Sequence, residues 1–169
     1  MQKTFLLILL TISLVTTTHA KRNNVKPILY EVSNKDVVQC VFPEAEKVEK
    51  VNDYWYKIVD IKNKTVGYAM SSVPFCKDVI GYFNVTPVMI ITNKKMMIQK
   101  VCILSNYETL SYVRKLENSG FFNSWNNAKL KDAIKIEPDG YTGATITAVA
   151  VKKNVDFLLQ NGIKELPKK

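Results

Sequence analysis

One polar stretch organises this chain, Asp139-Gly140-Tyr141-Thr142-Gly143-Ala144-Thr145-Ile146-Thr147. It precedes the clearest helical pattern of the sequence, residues 148–161, where apolar side chains recur at three- and four-residue spacing. Its glycines allow a tight, open turn, and its threonines place hydroxyls where the helix begins. The first-turn amides of a helix lack intrahelical acceptors and lie at the positive end of its dipole, so a phosphate would be well placed there.

The phosphate preference of such a helix start is about 0.3–1 kcal/mol at an exposed site, which positions a phosphate without giving tight binding. The same pattern is also typical of an ordinary capped helix start after a turn. The stretch therefore has a structural and a functional interpretation, and the rest of the chain must separate them.

The stretch also resembles the flavinylation motif Asp-x-x-Ser/Thr-Gly-Ala-Ser/Thr of the FMN-binding domain family. That family includes the C subunit of the sodium-translocating NADH:quinone reductase and the G subunit of the Rnf complex. In the family, the last hydroxyl of the motif is joined to FMN through a phosphoester. The resemblance assigns that role to Thr145.

Three further landmarks are similar to the family and occur in the expected order: Phe42-Pro43-Glu44-Ala45, Gly67-Tyr68-Ala69 and Glu108-Thr109. Two positions depart from it, because Phe83-Asn84 and Leu110-Ser111 stand where members usually have Gly-Gly and Pro-Gly. The resemblance implies that Glu108 and Thr109 lie near the flavin. From the residues alone, Thr109 is equally suited to cap a helix that runs to Leu116.

The first twenty residues differ in composition from the rest of the chain. Lys3 is followed by an apolar run from 5 to 15, too short to span a bilayer, and Thr18-His19-Ala20 is typical of a signal-peptide cleavage site. We therefore expect a signal peptide at 1–20 and export to the periplasm or the extracellular space. An uncleaved membrane anchor is the alternative interpretation.

Without residues 1–20 the chain has 23 basic and 15 acidic residues, a net charge of +8, and no histidine. This excludes Ser-His or Cys-His catalysis and histidine-based metal sites, and we predict no catalytic residue and no metal. The lysines are scattered, which indicates a solvated surface rather than a nucleic-acid partner. Of the three cysteines, Cys40 and Cys102 lie in apolar runs and are expected in the core, although an exported protein could also pair two of them.

Apolar and β-branched runs predict strands at 54–60, 65–70, 85–92 and 96–104, joined in pairs by polar turns. The first two do not alternate cleanly between apolar and polar residues, so we expect both of their faces to be partly covered. Short helices are expected at 34–41 and near Phe121, Phe122 and Trp125, the last as an aromatic cluster packed on the sheet. The resemblance implies one α+β domain at 21–169, with an antiparallel sheet and packed helices as in FMN-binding domains.

The resemblance further implies covalent FMN on Thr145, attached by an exported flavin transferase that uses FAD and magnesium. A threonine hydroxyl is a weak nucleophile and no histidine is present to activate it, so self-attachment is not expected. Asp139 is assigned to recognition or loop geometry, and Gly140 and Gly143 to access for the transferase. The predicted cofactor-binding set is Thr145, Asp139, Gly140, Tyr141, Thr142, Gly143, Ala144, Thr147, Glu108 and Thr109, with Thr142 and Thr147 bonding the loop or the phosphate.

A tethered flavin is better suited to electron transfer between protein partners than to turnover of a bound metabolite. The expected partners are redox proteins or a membrane electron-transfer complex. The first hypothesis is thus an exported electron carrier. A secreted binding module that uses the same fold without flavin is the alternative. A stand-alone flavin reductase is a third, weaker interpretation, because no substrate pocket or electron donor is identifiable in the sequence.

Overall fold

The computed structural model describes residues 34–139 and 142–168. The predicted signal peptide at 1–20, the segment 21–33, Gly140 and Tyr141 lie outside the described residues. Five strands form one antiparallel sheet in chain order. They are β1 (Ala45–Lys50), β2 (Trp55–Asp60), β3 (Thr65–Ser71), β4 (Val88–Asn93) and β5 (Ile98–Ile103). The helices are α1 (Asn34–Gln39), α2 (Leu110–Asn118), α3 (Leu130–Ala133) and α4 (Thr145–Gly162), with 3-10 turns at Phe121–Asn123 and Ile163–Glu165. The predicted α+β class is confirmed.

In each of the two predicted hairpin turns, one side chain accepts hydrogen bonds from backbone amides of the turn. The Asp60 carboxylate accepts from the amides of Lys62 and Lys64, both at 2.8 Å. The Asn93 side chain accepts from Lys95 at 2.9 Å and Met97 at 3.1 Å. Asp and Asn favour turns for this reason, which explains why both turns could be predicted from the sequence.

Strand β1 was not predicted from the sequence. Its six residues, Ala45–Lys50, carry four charged side chains and only Ala45 is fully buried. Charged residues are typical of an edge strand, where they oppose pairing with another chain. The hydrophobic alternation that identifies an ordinary strand is therefore absent.

Both faces of the sheet are covered, which explains why apolar and polar residues do not alternate cleanly along the strands. Along β4, Val88 and Ile90 belong to the cluster packed under α2 and α4, whereas Met89 and Ile91 belong to the cluster packed under α1. All of β4 except Asn93 is buried. The predicted aromatic cluster is confirmed, since Phe121, Phe122 and Trp125 are buried in the α2/α4 cluster with their rings edge to face.

Helix α4 is fixed by hydrogen bonds at its C-terminal end and near its middle. The Trp55 indole donates to the Gly162 carbonyl at 2.8 Å, and the buried Asn154 amide donates to the Thr86 carbonyl at 2.9 Å. Gly162 keeps helical φ of −63°, so it is not a left-handed helix terminator. A Cβ atom there would collide with Met70. The glycine is needed for close packing of α4 on β3, and the position of the α4 N-terminus is set by this packing.

The cysteines do not all behave as expected. Cys40 is exposed, so the prediction that it is a core residue is wrong, while Cys76 is buried and Cys102 is partly buried. All three sulfurs are unpaired. Burial raises the pKa of the Cys102 thiol to about 11. Within 34–139 and 142–168, no helix is long and apolar enough to cross a bilayer.

Candidate functional site

Helix α4 begins at Thr145, three residues earlier than the hydrophobic spacing predicts. The turn before it uses Gly143 at φ 80°, a left-handed conformation that favours glycine. Ala144 is the N-cap residue and has no side-chain capping bond. The first-turn amides of α4 are thus without a capping side chain, as an anion site at a helix start requires.

The three motif hydroxyls have different environments. Thr142 and Thr145 are exposed, whereas Thr147 is only 1% exposed. Within the described residues, the Thr145 hydroxyl has no hydrogen-bond partner. Thr147 instead donates inward to the Glu108 carboxylate. Thr145 is therefore the hydroxyl in the first turn that an outside enzyme can reach.

Glu108 lies beneath the site rather than on its surface. It is 2% exposed, and its carboxylate accepts from the amides of Tyr82 at 3.1 Å and Phe83 at 3.0 Å in addition to the Thr147 hydroxyl. Three donors satisfy a buried carboxylate whose desolvation would otherwise be costly. Glu108 thereby fastens the 81–83 loop to the first turn of α4.

Gly81 is required where the loop approaches this carboxylate. A Cβ atom at Gly81 would lie 2.5 Å from Glu108 Oε1 and 2.6 Å from Thr86 Cγ2. Both distances are shorter than real Cβ contacts, so a larger residue would force the loop away from Glu108. The loop then exposes Tyr82 and Phe83 to solvent.

The neighbouring Thr109 has a structural position. It is the N-cap residue of α2, as one of the two interpretations of Glu108-Thr109 predicted, but its side chain makes no capping bond. Thr109 is partly buried.

Two depressions flank the start of α4. The first, of about 230 Å³, is lined by Tyr82, Tyr112, Gly143, Ala144, Thr145, Ile146 and Thr147. The second, of about 330 Å³, is lined by Asp78, Val79, Ile80, Thr145, Ile146, Val149, Ala150 and Lys153. Thr145 and Ile146 separate the two.

Large apolar side chains are exposed around Thr145. Tyr82 is 51% exposed and Ile146 55%, and the Tyr82 ring meets Tyr112 edge to face at 5.0 Å. Ile80 and Val149 are exposed in the second depression. Exposed apolar surface gathered around one polar group is typical of a binding site.

The loop that leads into the motif is tied to α4 by charge. Lys152 pairs with Glu137 at 3.2 Å and with Asp156 at 2.8 Å. Burial lowers the pKa of Lys152, but Asp156 and Glu137 together outweigh it, so the pKa is raised. Asp139, two residues after Glu137, is exposed.

The structure thus brings together Gly143, Ala144, Thr145 and Thr147, with Glu108 directly beneath them. Gly140 and Tyr141 lie outside the described residues. The sequence did not single out Tyr82, Tyr112 or Ile146 as site residues. The one feature of the sequence that pointed to Tyr82 was its position directly after Gly81. Tyr82 reaches the site through the packing of its loop and Tyr112 through the packing of α2, and sequence spacing shows neither.

Within the described ranges, no group of three acidic, histidine or cysteine side chains is arranged to hold a metal ion.

Comparison with known sequences identifies one domain. The sequence model of the FMN-binding domain matches residues 81–160, which contain Gly81, Glu108, Thr145 and Thr147. No curated protein is significantly similar to the chain. The matched segment covers both the loop and the helix that form the site. Over residues 81–160 the chain is similar to the FMN-binding domain family.

Proposed function

We propose that this chain carries FMN covalently, through a phosphoester to Thr145, and transfers electrons between redox partners. One observation carries the proposal. Within the segment that matches the FMN-binding domain, Thr145 is an exposed hydroxyl at the tip of α4, without a partner in the described residues. The hydroxyl two residues later is buried and already bonded.

The residues around Thr145 fit such a group. The uncapped first turn of α4 offers amide donors and a positive dipole end to a phosphate. The exposed Tyr82 ring, the partly buried Tyr112 ring and the exposed Ile146 side chain offer apolar surface to a flat aromatic ring. When bound, FMN supplies one- and two-electron chemistry, and the protein supplies position and electrostatics.

A transferase is needed for attachment in this proposal, since none of the described residues makes a hydrogen bond to the Thr145 hydroxyl that could activate it. The Thr145 oxygen attacks the FMN-side phosphorus of FAD, a new phosphoester bond forms, the diphosphate bond breaks, and AMP leaves. The hydroxyl proton passes to a base of the transferase. Exposure of Thr145 and Asp139, and the open turn at Gly143, support access for that enzyme.

The size of the two depressions favours an electron carrier over a metabolite enzyme. At about 230 and 330 Å³ they lie at or below the lower end of the about 300–1,000 Å³ typical of ligand pockets. They can cover one face of a tethered ring but do not enclose a second substrate. The electron donor and acceptor are therefore proteins, in our proposal exported ones or a membrane complex.

Co-production tests the proposal. The chain is made in a host with an exported flavin transferase, with FAD and magnesium supplied, and in a matched host without the transferase. We expect flavin fluorescence to stay with the denatured protein band only when the transferase is present. A colourless band in both hosts would contradict covalent flavin and favour the non-flavinylated binding module.

A further inference from the structure

The ammonium group of Lys115 lies beside the turn that leads into α4. A Cβ atom built on Gly143 would lie 3.0 Å from Lys115 Nζ. Because Gly143 has no side chain, the ammonium comes close to the backbone two residues before Thr145. Gly143 thus provides both the left-handed turn and the space that Lys115 occupies.

Lys115 lies next to two residues that line the first depression, Tyr112 and Gly143. Its Nζ lies 5.9 Å from the centroid of the Tyr112 ring, one turn earlier on α2. Tyr112 and Gly143 both line the depression next to Thr145. The positive charge of Lys115 therefore lies near both Tyr112 and Gly143, on one side of Thr145.

Lys115 forms no ion pair with an acidic side chain in the described part of the chain. The ion pairs within residues 34–139 and 142–168 involve Lys35, Lys50, Lys57 and Lys152. Lys153, in the second depression, is in none of them either, but that depression also has Asp78 in its lining. The first depression, on the Tyr112 side of Thr145, has no acidic residue among its lining residues.

We propose that Lys115 binds the phosphate through which FMN is joined to Thr145, and so directs the flavin to the Tyr82 and Tyr112 side of α4. This inference rests on the proposed function. An ammonium forms charge-assisted hydrogen bonds with phosphate oxygens, and the α4 amides supply donors from the opposite direction. The two together fix a phosphate that the helix start alone holds only weakly.

The test compares wild type with K115Q, K115R and K153Q, each produced with the transferase and without it. Intact mass reports FMN attachment, the ³¹P resonance reports the phosphate environment, and thermal unfolding gives the rise in Tm on flavinylation. K153Q is the matched control, because it removes the same charge from the other side of Thr145. Measurements at low and high salt separate a charge effect from a packing effect.

We expect the Tm rise on flavinylation to be about 1–4 °C smaller in K115Q than in wild type. The difference should shrink at high salt, and the ³¹P resonance should move in K115Q. K115R and K153Q should resemble wild type. A K115Q chain that takes up no FMN, while K115R and K153Q do, also supports the proposal, because the transferase delivers the same phosphate.

Three results overturn the inference, and they show whether the proposed function fails with it. If wild type carries FMN, but K115Q has the same ³¹P resonance and the same Tm rise, Lys115 does not bind the phosphate and the proposed function stands. The same conclusion follows if K153Q alone shows the changes. If wild type carries no FMN, the proposed function fails and this inference fails with it.

Discussion

The site has an outer rim, formed by Lys115, Gly143, Thr145 and Ile146, and an inner support, formed by Gly81, Glu108 and Thr147. The two regions share the first turn of α4 but have opposite environments. The rim is exposed, and its hydroxyl has no hydrogen-bond partner among the described residues, whereas each polar group of the support is buried and bonded. The difference teaches that the two threonines of the motif have separate tasks under the proposed function: Thr145 takes the flavin and Thr147 supports the turn.

The separation has a physical reason. A helix tip that offers free amides and a free hydroxyl must be held in place by something other than those groups. Glu108 performs this task from below, by joining the 81–83 loop to Thr147. The groups of the rim are therefore not needed to hold the start of α4 in place.

The largest expected effect is at the rim. T145V removes the hydroxyl but keeps nearly the same shape, so we expect complete loss of covalent FMN with a stability change within about 0.5 kcal/mol, because the residue is exposed. T145S restores a hydroxyl and should regain FMN. Intact mass after co-production with the transferase measures both. If T145V still carried covalent FMN, the attachment site would be a residue other than Thr145.

The next effect is at the centre of the support. E108Q replaces a carboxylate that accepts three hydrogen bonds with an amide that can accept through only one oxygen. We expect a loss of about 1–3 kcal/mol in the free energy of unfolding, from buried donors left unsatisfied. Urea denaturation measures it. E117Q is the control, since Glu117 is exposed on α2 and should change stability by less than about 0.5 kcal/mol.

A smaller effect is expected at the other hydroxyl. T147V removes one donor to Glu108, and we expect a loss of about 1 kcal/mol in stability while FMN attachment persists. Denaturation and intact mass on the same preparation give both values. Loss of FMN from folded T147V would show that the two threonines do not have separate tasks.

The smallest expected effect lies away from both regions. Burial raises the pKa of Cys102 to about 11, so this thiol stays neutral below that pH, and alkylation should be slow at pH 8 and accelerate between pH 9 and about 11. Exposed Cys40 should react first at every pH. If E108Q acts only on the site, Cys102 should remain protected in that variant at pH 8. Rapid labelling of Cys102 would instead indicate general loosening of the fold.

Much of the fold could be predicted from local chemistry. The turns at Asp60 and Asn93 follow from side chains that bond their own loop. The buried stripe of α4 follows from its spacing. Strand β1 was not predicted because its four charged residues leave no alternation of apolar and polar side chains.

The start of α4 was misplaced because Thr147 is polar yet buried, and only the distant Glu108 explains why. The site shows the same limit more strongly. The motif could be found because it is continuous in sequence. The hydrogen bonds of the support join residues 25 to 39 positions apart, and Lys115 on α2 lies beside Gly143 in the turn before α4. No local spacing reveals such contacts.

The most direct test of the central claim is the position of FMN within one tryptic peptide. Cleavage after Lys135 and Lys152 releases residues 136–152, which contain Thr142, Thr145 and Thr147. Fragment-ion masses from flavinylated protein should place a single FMN phosphoester on Thr145. FMN on Thr142 or Thr147, or an unmodified peptide after exposure to the transferase, would contradict the account.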